Sequence, residues 1–182
     1  MLKMSSRVEL HPLTLSDREE FCTLVQASSE LHLPWMQLPA TAESFHVWMR
    51  RFDDGTNQGF LVRVRETGEA AGTVNINSII RGRYQGASLG YAAFAPSTGH
   101  GYMTEGVAAT LRHAFDDLRL HRLEASIQPS NKPSLALVQR LGFTYEGVSP
   151  GYLYIAGAWR DHERWAITAP HPWTPDPSLP EV

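Results

Sequence analysis

The chain has 182 residues, 42% of them hydrophobic, and a formal net charge of −3. This length supports one well-filled core and is too short for two ordinary domains. The net charge is slightly negative, and the longest basic cluster is Arg81-Gly-Arg83. This composition argues against a protein that binds nucleic acid directly. Cys22 is the single cysteine, which excludes an internal disulfide and favours a reducing compartment.

The sequence predicts one domain over residues 7–168. It shows no basic start followed by an apolar run, and no apolar stretch long enough to cross a bilayer. We therefore expect a cytoplasmic protein without a membrane segment. The tail over residues 169–182 holds five of the twelve prolines and is expected to be flexible.

The first half of the chain predicts helices followed by a β-meander. A short strand at residues 7–10 precedes a helix whose start, Ser16-Asp-Arg-Glu19, matches a capping box. A second helix begins at Thr41 and stops at Gly55. Three β-rich runs joined by short turns then predict antiparallel strands, and they cover residues 59–65, 70–80 and 85–95.

The second half alternates helix and strand. A long helix follows Gly101, with apolar residues spaced by three or four. A strand at residues 122–127 leads to a short helix that starts at Asn131, carries Pro133 in its first turn and stops at Gly142. The last two strands run from about residue 143 to 155 and from 158 to about 168.

The loop Pro96-Ser-Thr-Gly-His-Gly101 connects a strand directly to the long helix. Gly99 and Gly101 let the backbone approach phosphate oxygens closely, and the helix start offers unpaired N–H groups at a positive dipole end. Gly-His-Gly alone is weak evidence, because most such triplets are turns. A Rossmann motif is excluded, since Thr104 replaces its third glycine and the preceding sheet is antiparallel.

This loop, with Asn131 and Ser134 one strand later, resembles the acetyl-CoA-binding half of the Gcn5-related N-acetyltransferases (GNAT). The resemblance implies an α/β (α+β) GNAT fold with a central mixed, mostly antiparallel twisted sheet of about seven strands. About four helices would flank the sheet, and a splayed strand pair would bind acetyl-CoA as co-substrate. The implied cofactor contacts are Phe94, Ala95, Gly99, His100, Gly101, Tyr102, Met103, Asn131 and Ser134.

Asn131 would hydrogen-bond the pantetheine by this resemblance, while a helix N-cap is an equally good interpretation and both can hold. The family pattern also has departures here. Pro96 stands where a glutamine or arginine is usual, which lowers the expected affinity for CoA modestly. Val138 stands where many members carry a tyrosine acid, so Ser134 is the predicted catalytic proton donor, with a first-turn hydroxyl as the alternative.

No carboxylate stands out as a general base. Glu105 lies in the first turn of a helix, where a negative charge is favoured in any case. An α-amine has a pKa of about 7.7–8.0 against about 10.4 for lysine, so it needs a base less and is the favoured acceptor. The eight histidines lack the spacing of a metal site, so no metal is expected. His100 is predicted near phosphate, and the other histidines at surface or capping positions.

Further stretches resemble the RimJ-type branch of ribosomal-protein alanine N-acetyltransferases over about residues 7–168, most specifically Gly157-Ala-Trp-Arg-Asp-His162. Leu153 stands where related serine-acetylating enzymes carry a proposed base. The branch implies direct attack, in a ternary complex, by the N-terminal α-amine of a protein that starts with Ala or Ser, such as a ribosomal protein. The predicted acceptor contacts are Trp35, Asn75, Asn77 and Tyr91, with core packing the alternative for Trp35 and Tyr91.

Two other functions stay open. A small-molecule amine, such as a polyamine or aminoglycoside, would be favoured by an acceptor groove dense in carboxylates. A non-catalytic, ribosome-associated binding module would keep the fold without the chemistry, and its support is Pro96 and the absent tyrosine. An exposed edge strand also leaves a homodimer open.

Overall fold

A computed structural model describes residues 6–171. Within that range seven strands form one sheet in the order β1-β2-β3-β4-β5-β7-β6. Every neighbouring pair is antiparallel except β4 and β5, which run parallel. The strands are β1 Val8–Pro12, β2 Gln58–Val64, β3 Ala70–Ile80, β4 Gly86–Ala93, β5 Arg122–Ile127, β6 Thr144–Ile155 and β7 Ala158–Thr168.

The α-helices over the same residues are α1 Arg18–Ala27, α2 Ser29–His32, α3 Ala42–Met49, α4 Tyr102–Arg112 and α5 Lys132–Arg140. The predicted mixed sheet of seven strands is thus confirmed. The fifth helix arises because the backbone leaves helical geometry at Ser28 and forms one more turn, α2. From Pro172 onward, the predicted proline-rich tail lies outside the described residues.

The predicted capping box at Ser16-Asp-Arg-Glu19 is wrong by two residues. The carboxylate of Asp17 accepts hydrogen bonds at 2.8 Å from the backbone N–H and from the hydroxyl of Thr14. A 3-10 turn at Leu15–Asp17 therefore precedes α1, which begins at Arg18. Thr14 with Asp17 and Ser16 with Glu19 both place a carboxylate three residues after a hydroxyl, so the sequence alone did not distinguish the two registers.

Strands β2 and β3 are buried on both faces over most of their length, whereas β6 is mostly exposed. Along β2, Phe60, Val62 and Val64 belong to the cluster packed under α4 and α5, whereas Leu61 belongs to the cluster with α1 and α3. Side chains alternate between the faces of a strand, so a strand covered on both sides is a nearly continuous apolar run. Helix α4 packs closely on β2 at Gly106, where an added Cβ would lie 2.6 Å from Val62 Cγ2.

The parallel pair β4–β5 is joined only at its beginning. Gly86, Ala87 and Ser88 pair with Arg122, Leu123 and Glu124, respectively. Beyond these residues the two strands diverge, so the facing edges of residues 89–93 and 125–127 have no strand partner. Loops at the open end lead into α4 and α5, which therefore begin beside the gap between the strands. No helix within residues 6–171 is long and apolar enough to cross a membrane.

Candidate active site

A cleft of about 450 Å³ occupies the gap between β4 and β5. Its walls are the two diverging strand edges, the glycine loop, the first turns of α4 and α5, and the segment from Leu31 to Met36. Among the described lining residues none is Asp or Glu, and Arg140 is the one permanently charged side chain. The cleft therefore has a neutral middle and a positive charge near the start of α4.

Two side chains, Ser28 between α1 and α2 and His32 on α2, hold the far end of β4. Ser28 Oγ accepts a hydrogen bond from the Ala95 backbone N–H at 2.9 Å, and His32 Nε2 lies 2.8 Å from the Ala93 carbonyl oxygen. The backbone N–H of Phe94 donates to Ala71 O, and the phenyl ring is buried between α1 and α3. Phe94 and Ala95 are predicted as cofactor contacts. Their backbone N–H groups instead donate hydrogen bonds to Ala71 O and Ser28 Oγ within the protein. The strand edge without a partner lies one step earlier, at residues 89–93.

The glycine loop has the geometry that its residues predict. Gly99 and Gly101 adopt φ values of +80° and +79°, which other residues rarely reach. Glu105 is the first residue of α4 to donate its N–H to Gly101 O, at 3.3 Å. The N–H groups of Tyr102, Met103 and Thr104 therefore stand at the helix start without an acceptor in their own helix, and all three residues line the cleft.

Arg7 fixes this loop from the start of β1. Its guanidinium donates to His100 O at 2.9 Å and to the Glu105 carboxylate, and its backbone N–H donates to Glu105 at 2.7 Å. The guanidinium also lies over the ring of Tyr102, which stacks on His100. Burial alone would raise the pKa of Glu105, but the hydrogen bonds and charge of Arg7 hold it below its usual value. Glu105 is therefore a structural anion.

Sequence reasoning missed Thr104 and Arg140. Arg140 Nη1 donates to Thr104 Oγ1 at 3.3 Å, which brings a cation from the end of α5 to the first turn of α4. Both residues line the cleft. They are separated by 36 residues, and no local pattern links an arginine at one helix end to the start of another helix.

Ser134 lies in the first turn of α5 and lines the cleft. Its hydroxyl is 2.7 Å from the phenol oxygen of Tyr91 on β4, and its backbone N–H donates to Asn131 Oδ1 at 3.3 Å. Asn131 is thus the N-cap of α5 and a lining residue at once. Burial raises the pKa of Tyr91 to about 12, although its hydrogen bond with Ser134 opposes the shift. Tyr91 is therefore a neutral phenol at physiological pH.

The predicted acceptor contacts fall into two groups. Trp35 and Tyr91 line the cleft, and Gln128 donates to Trp35 O from the end of β5. Asn75 and Asn77 lie on β3, outside the cleft lining. Asn75 is buried with its Oδ1 unpaired, and Asn77 accepts a hydrogen bond from Arg51 at 2.8 Å.

The prediction that all histidines except His100 occupy surface or capping positions is wrong for two of them. His32 and His162 are buried, and both line the cleft. His100 itself is exposed and lies outside the cleft lining. His162 is buried although Asp161 and Glu163 beside it are not, because successive side chains of a β-strand point to opposite faces of the sheet. No group of three His, Cys, Asp or Glu side chains suited to a metal ion occurs in the described part of the chain.

A strand pair that opens beside two helix starts is the acetyltransferase arrangement that the sequence motifs predict. The family model described as "Acetyltransferase (GNAT) domain" matches residues 7–144. The chain therefore belongs to the GNAT acetyltransferase family, and the predicted resemblance is confirmed.

Individual relatives carry related names. The chain is 30% identical to "Probable N-acetyltransferase YjcK" of Bacillus subtilis (strain 168), over 93% of this chain and 98% of that protein. It is 39% identical to the ribosomal protein uS5-alanine N-acetyltransferase of Escherichia coli (strain K12), over 59% of this chain and 55% of that protein. A solved structure of Mycobacterium smegmatis RimJ in complex with CoA-disulfide superposes with a TM-score of 0.82 at 30% identity, covering 89% of this chain and 82% of that one.

Proposed function

We propose that this GNAT acetyltransferase transfers an acetyl group from acetyl-CoA to the N-terminal α-amine of a protein that begins with Ala or Ser, a ribosomal protein being the leading candidate. Relatives named as a uS5-alanine N-acetyltransferase and as RimJ support this class of acceptor. The observation that carries the proposal is the absence of Asp and Glu from the described lining of the cleft.

The cleft fits a nucleotide-bearing thioester. The unpaired N–H groups at the start of α4 and the guanidinium of Arg140 provide donors and positive charge for a pyrophosphate. The open edge at residues 89–93 provides backbone groups for an extended, amide-containing arm, as an added strand would use them. Acetyl-CoA supplies a thioester carbonyl that a neutral amine can attack.

Ser134 and Tyr91 supply a proton on one wall of the cleft. Their 2.7 Å hydrogen bond lets the phenol donate to the serine oxygen while the serine hydroxyl donates to a departing thiolate. The raised pKa of Tyr91, caused by burial, keeps the phenol protonated throughout the physiological range. In many family members a tyrosine at the position of Val138 is the acid that protonates the thiolate, and here the pair of Ser134 and Tyr91 takes that role.

The lack of carboxylates in the described cleft lining supports an α-amine over a polyamine as the acceptor. A polyamine carries several positive charges. Desolvating these charges in a binding site is costly unless carboxylates of the site pair with them. Glu124 on β5 is the nearest acidic candidate along the strand, but Arg122, Arg164 and Tyr84 already occupy its oxygens. An α-amine, with a pKa of about 7.7–8.0, is partly neutral at pH 7 and enters such a cleft at lower cost.

The test is release of free CoA from acetyl-CoA by the purified protein with three acceptors. These are a peptide beginning with Ala, the same peptide with a blocked N-terminus and one internal lysine, and spermidine. We expect turnover on the free N-terminus alone. Ser134→Ala should lower kcat by about 10²-fold or more, as expected for loss of a general acid. Ser130→Ala, an exposed serine in the turn before α5, is the matched control and should behave as the unmodified protein.

Turnover on spermidine, with none on the peptide, would replace the proposed acceptor by a polyamine. Binding of acetyl-CoA without turnover on any of the three would also reject a protein α-amine beginning with Ala. Failure to bind acetyl-CoA at all would leave the non-catalytic binding module as the better description of the chain.

A further inference from the structure

Acetyl transfer to an amine requires a proton acceptor as well as a donor. Ser134 and Tyr91 account for the donor, but no carboxylate lines the described part of the cleft. The remaining lining groups that can bind a proton near neutral pH are the imidazoles of His32 and His162. The choice between them follows from their hydrogen bonds.

His32 is already engaged through its distal nitrogen. Its Nε2 lies 2.8 Å from the carbonyl oxygen of Ala93, and a carbonyl can only accept, so Nε2 carries the hydrogen. The nitrogen that could reach a ligand is thereby used to hold the edge of β4. His32 is a positioning residue for this wall of the cleft.

His162 has the opposite arrangement. It lies on β7 with 2% of its surface exposed, and its Nδ1 is 2.9 Å from the carbonyl oxygen of Arg160. That carbonyl fixes the hydrogen on Nδ1, so the lone pair of the neutral ring is on Nε2. The imidazole of His162 makes no other hydrogen bond with the described residues. Because Nδ1 is turned toward the residue's own strand, the distal edge of the ring, with Nε2, is the edge available to the cleft.

We propose that Nε2 of His162 accepts the proton that the attacking amine loses. The inference rests on the proposed acetyl transfer and identifies a second catalytic residue for it. A buried ring whose Nδ1 is fixed by a carbonyl oxygen is suited to this role, because Nε2 is already oriented when the amine arrives. The base acts from β7 and the acid from β4 and α5, so the two proton transfers occur on different walls of the cleft.

The protons balance across the reaction. An ammonium acceptor gives one proton to Nε2 of His162, and His162 releases it to solvent. The nitrogen–carbon bond then forms, the carbon–sulfur bond breaks, and the nitrogen loses a second proton to the same Nε2. The thiolate receives a proton from Ser134, which Tyr91 hydrogen-bonds. Ser134 then regains a proton from solvent as His162 releases the second proton there, so both residues return to their starting state. The net products are the N-acetylated chain, CoA as the thiol, and one proton in solution.

The charged and titratable groups around the imidazole come from three strands and one helix. Tyr152 on β6 packs against the ring at 5.9 Å between centroids. The guanidinium of Arg164 on β7 lies over the ring of Tyr152, 4.6 Å from its centroid, and is paired with Glu124 on β5. His32 on α2 lines the same cleft. The negative charge of Glu124 is thus offset by Arg164, and no unpaired carboxylate among these neighbours competes for the proton.

The experiment compares His162→Asn with the unmodified protein over a range of pH. Asparagine places an N–H donor where Nδ1 lies, so the bond to Arg160 O can persist while Nε2 is removed. We expect kcat/KM for an Ala-starting peptide to fall about 10²–10⁴-fold near pH 7, with the affinity for acetyl-CoA unchanged. The loss should shrink near about pH 9, where the α-amine is neutral without help.

His162→Gln is the second variant, because its side chain hydrogen-bonds where Nε2 lies but cannot take a proton near neutrality. It should show the same pH-dependent loss. His46→Asn, an exposed histidine on α3, is the matched control and should show none. A loss of equal size at every pH would assign His162 a packing role and overturn the proposal. Unchanged kinetics in both folded variants would overturn it as well.

Hydrolysis of acetyl-CoA without any acceptor separates the two proposals. Water must also lose a proton when it attacks the thioester, so His162→Asn should slow this reaction even if the peptide is the wrong acceptor. A slowed hydrolysis with no peptide turnover would reject the α-amine acceptor and retain His162 as the proton acceptor. Hydrolysis at the rate of the unmodified protein would reject His162.

Discussion

At the scale of single residues, the hydroxyl groups of Tyr91 and Ser134 show how burial selects a chemical role. The two oxygens are 2.7 Å apart, on a strand and a helix that are 43 residues apart in the chain. Burial raises the pKa of Tyr91 to about 12. A phenol with so high a pKa donates a hydrogen bond but does not remove a proton at neutral pH, so the proposed mechanism assigns the acid and base functions to different side chains.

Tyr91 also makes stability depend on pH in alkaline solution. Between about pH 10 and 12 the unfolded chain has lost the phenol proton while the folded protein keeps it, so the free energy of unfolding falls as the pH rises. A pKa difference of about two units corresponds to about 3 kcal/mol when it is fully expressed. Tyr91→Phe should therefore lose less stability than the unmodified protein between pH 9.5 and 11.5, measured by urea unfolding.

Tyr154→Phe is the control for alkaline unfolding, because Tyr154 is 63% exposed on β6. Its stability should follow that of the unmodified protein at every pH. If Tyr91→Phe lost stability in parallel with Tyr154→Phe, the phenol of Tyr91 would titrate like an exposed tyrosine. Its assignment as a proton donor that stays neutral would then be wrong.

At the scale of secondary structure elements, the position of α4 depends on a residue without a side chain. Gly106 is buried against β2, where an added Cβ would meet Val62 Cγ2 at 2.6 Å and Cγ1 at 2.7 Å. Val62 is fully buried and lies on β2, which is paired on both sides by β1 and β3, so neither partner can move aside easily. The first turn of α4, which lines the cleft, is therefore positioned by close contact one turn further along the same helix.

Gly106→Ala should destabilise the protein, although alanine is the better helix former by roughly 1 kcal/mol. Overpacking in a filled core costs about 1–3 kcal/mol, and here it opposes the gain in helix propensity. The free energy of unfolding in urea measures the change. A second variant with Val62→Ala added removes both γ carbons and should recover part of the loss. Gly106→Ala at or above the stability of the unmodified protein would contradict this close packing.

Much of this element structure could be predicted from the sequence because the signals are local. Apolar spacing, turn residues and the glycine loop predicted β3 and β5 to the residue, and the other strands to within two residues. The contacts that complete the candidate site are not local. The bond from Arg140 to Thr104, the hold of Ser28 on Ala95, and the burial of His162 all depend on how distant elements pack. A single sequence contains no periodicity that reports them.

At the scale of the whole molecule, the sheet consists of two parts joined by a short seam. Strands β1 to β4 form one part, β5 to β7 the other, and three residue pairs at the start of β4 and β5 connect them. A ligand that hydrogen-bonds to the open strand edges and to both helix starts contacts both parts at once. Such a ligand stabilises the folded protein through groups that the unfolded chain does not assemble.

Acetyl-CoA at 100 times its dissociation constant should add about 2.7 kcal/mol to the free energy of unfolding. For a chain of this size that corresponds to a rise in Tm of about 5–10 °C, which thermal unfolding followed by circular dichroism measures directly. Pantetheine, which lacks the pyrophosphate, should give a smaller shift. Arg140→Ala should reduce the shift with acetyl-CoA and leave that with pantetheine unchanged. Equal shifts in both proteins would remove Arg140 from the phosphate site.

The burial of the single cysteine has a practical consequence for spectroscopy. Cys22 lies in the cluster between α1 and α3, and burial raises the pKa of its thiol, so little thiolate is available to alkylating reagents. An introduced surface cysteine should therefore react selectively with a maleimide dye without prior removal of Cys22. Ser6→Cys would place the dye beside Arg7 and the glycine loop, where its emission should change when acetyl-CoA binds in the cleft. A dye near Thr168, whose partner Arg122 lies at the joined end of the seam, would serve as the distant reference.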